Sequence, residues 1–126
     1  MAEDNPKKVV LVVDDAPANI QVLSAILKQQ YKVKAATSGE KALKIASSDN
    51  PPDIILLDIL MPEMDGFEVC RQLKASGATR AIPVVFVTGA DTAEDKEKGL
   101  ALGAVDFLTK PVDPDQVHTC ISQVLS

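Results

Sequence analysis

Four apolar runs in this chain end on residues able to do chemistry. Val9 to Val13 is followed by Asp14 and Asp15, and Ile54-Ile55-Leu56-Leu57 by Asp58. Thr88 and Lys110 close two later runs. A carboxylate at the mouth of a buried strand is costly to desolvate unless something there uses it. Three carboxylates, a hydroxyl and a lysine gathered at one rim would suit Mg²⁺-assisted phosphoryl chemistry. Mg²⁺ takes one or two carboxylates plus waters and phosphate oxygens, and a lysine adds positive charge.

Whether these residues gather depends on the elements that carry them. Val9–Val13 reads as a strand, and Pro17–Gln30 as a helix with Ile20, Leu23, Ile26 and Leu27 on one face. Pro17 suits the first helical turn, where its missing N–H is no loss. Lys32–Ala36 reads as a shorter strand. Thr37-Ser38-Gly39-Glu40 has the look of a capping box opening a helix to Ser47, and Asn50-Pro51-Pro52 breaks the chain. Asp53–Asp58 is a third strand, and Asp65 caps a helix from Gly66 to Ala75. Ile82–Val87 and Val105–Thr109 are further strands. Thr92–Leu102 and Asp113–Leu125 are further helices. Strands and helices alternating, with near-continuous apolar strands, predict a parallel α/β sheet covered on both faces. In such a sheet ligands bind beyond the carboxyl ends of the strands, where Asp14, Asp58, Thr88 and Lys110 fall. If the first and third strands are neighbours, the three carboxylates converge and raise one another's pKa values unless a cation shields them.

Each of these residues also has a plainer reading. Asp14 or Asp15 could cap the helix at Pro17, Asp58 could be a turn residue, Thr88 a strand residue and Lys110 a solvated lysine. Asp53 is at the wrong end of its strand, roughly 16 Å from Asp58 at strand rise.

The chain has 126 residues, enough for one domain with one real core. A net charge of −5 argues against a general nucleic-acid surface. No apolar run approaches the roughly 20 residues of a membrane span, and the polar stretch from Met1 to Lys8 has no signal-peptide core. The cytoplasm is the expected location. Cys70, Cys120 and the lone His118 form no metal-ligand spacing; the cysteines read as reduced, partly buried thiols and His118 as a helix-surface residue.

Taken together, Val12-Val13-Asp14-Asp15, Asp58-x-x-Met61-Pro62-x-Met64-Asp65-Gly66, Thr88-Gly89-Ala90 and Lys110-Pro111 resemble the receiver domain of two-component response regulators. The likeness runs from Lys8 to Leu125. It implies a flavodoxin-like, doubly wound sheet of five parallel strands in the order 2-1-3-4-5 with five helices. It implies that residues 1–126 are a single receiver domain, either whole or the N-terminal part of a longer regulator. Asp58 would be the phosphoacceptor, served by a sensor histidine kinase or a phosphotransfer protein. Asp15, Asp58 and the backbone carbonyl of Leu60 would bind Mg²⁺ directly, and Asp14 mainly through water. Lys110 would pair with a phosphoryl oxygen, Thr88 would move to hydrogen-bond the phosphoryl group, and Phe107 stands where the family has its switch aromatic. The Lys110–Pro111 bond is expected to be cis. Output would pass through the fourth helix, fifth strand and fifth helix to a fused C-terminal domain or a separate partner, without direct contact to nucleic acid or membrane.

Two expectations come from positions that vary among receivers. Leu60 and Ala90 cannot orient a hydrolytic water as polar residues there can, so the phosphoryl group should be lost slowly. No Lys or Arg follows Lys110, so the charged dimer formed by receivers fused to winged-helix domains is not expected. The start Val12-Val13-Asp14-Asp15-x-Pro17-x-Asn19 is loosely similar to receivers fused to cyclic-dinucleotide enzymes or kinases. A haloacid-dehalogenase enzyme would want a second Asp where Leu60 stands. A flavin module would want a Ser/Thr/Gly-rich loop after the first strand. A pseudo-receiver, binding partners without phosphorylation, would not need the intact acid pair, Asp58, Thr88 and Lys110.

Overall fold

In the computed structural model, which describes residues 7–89 and 93–126, five strands and five helices alternate. They are β1 (Val9–Val13), α1 (Pro17–Leu27), β2 (Lys32–Ala36), α2 (Gly39–Ala46), β3 (Ile54–Leu57), α3 (Gly66–Ala75), β4 (Val84–Thr88), α4 (Ala93–Ala101), β5 (Asp106–Thr109) and α5 (Pro114–Leu125). All pairings are parallel, and the strand order is β2-β1-β3-β4-β5. This is the flavodoxin-like architecture expected above. The order makes β1 and β3 neighbours, with Val13 opposite Leu57, so Asp14 and Asp58 leave the sheet side by side.

The central strands are buried on both faces, which is why their sequences do not alternate with polar residues. Leu11, Val13, Ile55, Leu57, Val84 and Phe86 join the core that includes Ala42, Phe67 and Leu73 of α2 and α3. Val10, Val12, Ile54, Leu56, Val85 and Val87 join the opposite core, with Leu23, Leu27, Val117 and Ile121 of α1 and α5. Among the described residues no helix is long and apolar enough to cross a membrane.

Local chemistry moves several boundaries. α1 stops at Leu27, short of Gln30, because Lys28, Gln29 and Gln30 are exposed and the N–H groups of Gln30 and Tyr31 both turn onto the Leu27 carbonyl. The cap of α2 is Ser38, whose hydroxyl accepts from the Lys41 N–H, so Thr37 and Glu40 do not form the expected box. β4 begins at Val84, because the Ile82 N–H closes a turn onto Thr79 and Pro83 has no N–H to give. That shift carries Thr88 into the last position of the strand. Asp65 caps α3 as expected, accepting from the Glu68 N–H at 2.9 Å. Cys70 and Cys120 are free and buried. His118 is half-buried and not simply on the surface: its Nδ1 is enclosed and has no hydrogen-bond partner among the described residues. Ala90 and Thr92 lie outside the described residues.

Candidate functional site

The carboxyl ends of β1, β3, β4 and β5 hold the residues singled out by type and spacing. The Asp58 N–H donates to the Val13 carbonyl at 3.0 Å and the Asp14 N–H to Ala36 at 3.1 Å, so both aspartates continue the sheet's hydrogen-bond ladder. Their side chains therefore emerge at fixed positions on the rim. One carboxylate oxygen each from Asp14, Asp15 and Asp58 falls within 4.8 Å of the others. Asp14 and Asp58 are only 2% and 6% exposed, whereas Asp15 is open to solvent.

Lys110 reaches this cluster from the far end of β5. Its own N–H is tied to the Thr88 carbonyl at 3.0 Å, and the bond to Pro111 is cis. Its Nζ lies 2.7 Å from Asp14 Oδ2 and 3.5 Å from Asp58 Oδ2. The other Asp14 oxygen accepts from the Ala16 N–H at 2.9 Å. Asp14 thus has both oxygens engaged within the protein, while Asp15 faces outward. This fits a division in which Asp15 offers itself to a ligand and Asp14 acts at one remove.

Burial holds the Asp58 carboxyl above its ordinary range. Lys110 opposes that, the neighbouring Asp14 charge adds to it, and the backbone N–H groups of Ile59 and Leu60 pull it back down. One ammonium shared between two buried carboxylates leaves the rim short of positive charge. Three hard oxygen donors at this separation, one of them raised by its surroundings, are suited to a small divalent cation.

The remaining candidates are placed by their own elements. Thr88 is buried at the end of β4, opposite Thr109 of β5. The Leu60 side chain is 67% exposed in the β3–α3 loop. Phe107 is half-buried, its ring 5.2 Å from that of Phe86. Asp53 sits at the opposite end of β3 and accepts from the Val9 N–H at 2.7 Å.

Sequence reasoning missed one participant. By sequence Gly66 is the start of α3 and the last residue of a receiver-like segment, yet a Cβ there would lie 2.1 Å from the Asp58 carbonyl oxygen and 2.9 Å from Ile59 Cα. The helix rests directly on the peptide of Asp58, and only glycine permits that approach. The Gly66 N–H also donates to the Ile59 carbonyl at 2.9 Å. The Asp65-Gly66 pair is a visible signal, as a cap and within the receiver-like segment, but neither reading states its contact with Asp58.

Residues 10–122 match the model of the response regulator receiver domain. The chain is 47% identical over 121 residues to a probable cyclic di-GMP phosphodiesterase of Vibrio cholerae, covering 93% of this chain and 27% of that protein. It is 53% identical over 105 residues to the response regulator PleD of Caulobacter vibrioides, covering 82% of this chain and 23% of PleD. The chain thus spans about a quarter of the length of these two relatives. Among solved structures it is similar to the receiver domain of the sensor histidine kinase PA1611 of Pseudomonas aeruginosa, with a magnesium ion coordinated in the active-site cleft. The TM-score is 0.86 at 28% identity, over 94% of this chain and 98% of that one. With the fold, the acidic rim and the lysine already placed, the match over nearly the whole chain settles the family: the chain belongs to the receiver domains of response regulators.

Proposed function

We propose that this chain is a phosphorylation-dependent signalling switch whose phosphoacceptor is Asp58. The observation that carries the proposal is the rim itself: three carboxylates within 4.8 Å, with Lys110 bridging Asp14 and Asp58. The donor set fits Mg²⁺, with Asp15, Asp58 and the Leu60 carbonyl as direct ligands and Asp14 acting through water. When bound, the ion supplies charge neutralisation for the transferring phosphoryl oxygens.

The chain's own residues supply the rest. An oxygen of Asp58 attacks phosphorus, the bond to the donor's histidine nitrogen breaks, and its electron pair leaves with the imidazole ring, which takes up a proton from solvent. An acyl phosphate on Asp58 and a free imidazole result. Phosphoryl transfer asks for positioning more than for covalent help, and the ladder hydrogen bond of Asp58 supplies it. Lys110 turns from two carboxylates toward the new phosphoryl oxygens. The Thr88 hydroxyl is drawn to the same group, and the Phe107 ring moves into the space it leaves. The face formed by α4, β5 and α5 changes with it. Such a switch needs two packings only a few kcal/mol apart.

We infer that the donor is a sensor histidine kinase or a phosphotransfer protein and that the reaction takes place in the cytoplasm. Residues 1–126 form one receiver domain, and the output is a domain fused after it or a separate partner. The two relatives above support the fused arrangement, since each has most of its length outside the matched region.

The test is intact mass after incubation with acetyl phosphate, with and without Mg²⁺, beside Asp58→Asn. The expected result is a Mg²⁺-dependent gain of one phosphoryl group that the variant lacks. A folded protein that gains nothing in Mg²⁺ is a binding module, and the switch reading fails.

A further inference from the structure

The chain has three phenylalanines, and all three lie in one file. Phe67 is in the first turn of α3, Phe86 in β4 and Phe107 in β5. Ring centroids are 5.4 Å apart between Phe67 and Phe86, and 5.2 Å between Phe86 and Phe107. Each ring is also close in sequence to the candidate site. Phe67 follows Gly66, which rests on the Asp58 carbonyl, Phe86 is two residues before Thr88, and Phe107 is three before Lys110.

Two adjacent residues of α4 grip the two ends of this file. Lys98 holds its Nζ 4.5 Å from the centroid of the Phe67 ring, at the distance of a cation–π contact. Gly99 makes the seat for Phe107: a Cβ there would stand 2.5 Å from Phe107 Cζ and 2.9 Å from Phe86 Cε2. Glycine is the poorest helix former after proline, so its place inside α4 is explained by the ring it admits. α4 is therefore held at Phe107 and, independently, at Phe67.

From this geometry we infer that the Lys98–Phe67 contact is a second switch contact, through which the β3–α3 corner carrying Asp58 sets the position of α4. The inference rests on the phosphoacceptor reading and concerns how that site is heard. The route through Thr88 and Phe107 enters α4 at Gly99. The second route runs from the Asp58 peptide through Gly66 to Phe67, and enters at Lys98. Any displacement of Asp58's backbone on modification shifts Gly66, because no side chain separates them. Phe67 then moves under the lysine. Lys98 and Phe67 are positioning residues in this scheme, since neither touches the phosphoryl group.

Coupling of this kind is established by double-mutant comparison and not by adjacency. Amide chemical shifts would be followed by NMR as beryllofluoride and Mg²⁺ are added to the full chain. The variants are Lys98→Met, which keeps the stem and removes the charge, Lys98→Arg, which keeps a cation, Phe107→Leu, and Lys98→Met with Phe107→Leu. We expect Lys98→Met to lose about half of the α4 shift change while residues beside Asp58 respond as in the wild type, Lys98→Arg to restore it, and Phe107→Leu to leave a residual α4 response that the double variant abolishes. A Lys98→Met response in α4 equal to that of the wild type would overturn the inference, as would no residual response in Phe107→Leu. If the wild-type residues beside Asp58 do not respond at all, the phosphoacceptor reading falls, and this inference with it.

Discussion

β3 carries an aspartate at each end, and the two have opposite circumstances. Asp53, at the entry, accepts the Val9 N–H at 2.7 Å while its own N–H donates to the Val9 carbonyl, so it staples β3 to β1. Asp58, at the exit, is nearly buried beside Asp14 and shares one lysine with it. The residue type is the same and the strand is the same. What separates a staple from a reactive group is whether the surroundings satisfy the charge or leave it in want of more. A parallel sheet makes that asymmetry systematic, because every strand delivers its last residue to the same rim.

The comparison breaks most sharply by neutralising each aspartate in turn. Asp58→Asn should abolish phosphoryl uptake, while Asp53→Ala, which removes the acceptor of the Val9 N–H, should leave the rate intact and cost about 1 kcal/mol, the worth of one hydrogen bond. Their effects on stability without Mg²⁺ should also have opposite signs. Because the folded state raises the Asp58 pKa above its ordinary 3.8, it holds that proton more tightly than the unfolded chain does. The ionised Asp58 therefore costs stability as pH rises from 3.8 through the raised value, and the cost is full above it. Asp58→Asn should melt higher than wild type at pH 7, with the gain shrinking as pH falls toward 3.8. Thermal melts across that range decide it; a variant that melts lower at pH 7 would mean Lys110 already satisfies Asp58. Adding Mg²⁺ should raise the wild-type midpoint and do much less for the variant.

A smaller perturbation sharpens the contrast by moving Asp58 without altering it. Gly66→Ala forces a methyl against the Asp58 carbonyl, while at Gly77 a Cβ meets nothing within 4 Å. Gly66→Ala should lower the phosphorylation rate by about tenfold to a hundredfold, as misplacements near 1 Å do, with Gly77→Ala close to wild type. Mg²⁺ titration by calorimetry should weaken in the first variant alone. Equal rates in the two variants would show that the α3 contact does not hold Asp58 in place.

The mildest change lies at the rim's outer edge. Leu60 exposes 67% of its surface and offers no group to steer water. Leu60→Asn should shorten the acyl phosphate's lifetime several-fold, read as the decay of the added mass. An unchanged decay would remove Leu60 as the cause of a slow switch.

Much of this asymmetry is readable from one-dimensional pattern. Continuous apolar runs announce strands buried on both faces, and the polar residue that ends each run marks the rim. β1 and β2 fall where their residues place them, and Asp65 caps α3 because an acceptor followed by Glu leaves little choice. Boundaries are lost where two local signals compete, as Thr37 and Ser38 do for the cap of α2, or where Pro83 displaces the start of β4. Contacts between distant side chains are lost where no strand end gathers them. Nothing in the spacing of Phe67, Phe86 and Phe107 says that their rings meet, since each obeys only its own element's pattern. Gly66 and Gly99 are ambiguous for the same reason: a glycine states that something is near, but not what.

The bond between Lys110 and Asp14 joins residues 96 positions apart, one near each end of the chain. A ribosome releases Asp14, Asp15 and Asp58 long before Lys110. A nascent chain that carries the three acids but not yet Lys110 has an incomplete rim, and its fifth strand is still to be made. The rim therefore closes only once β5 has been made and paired with β4.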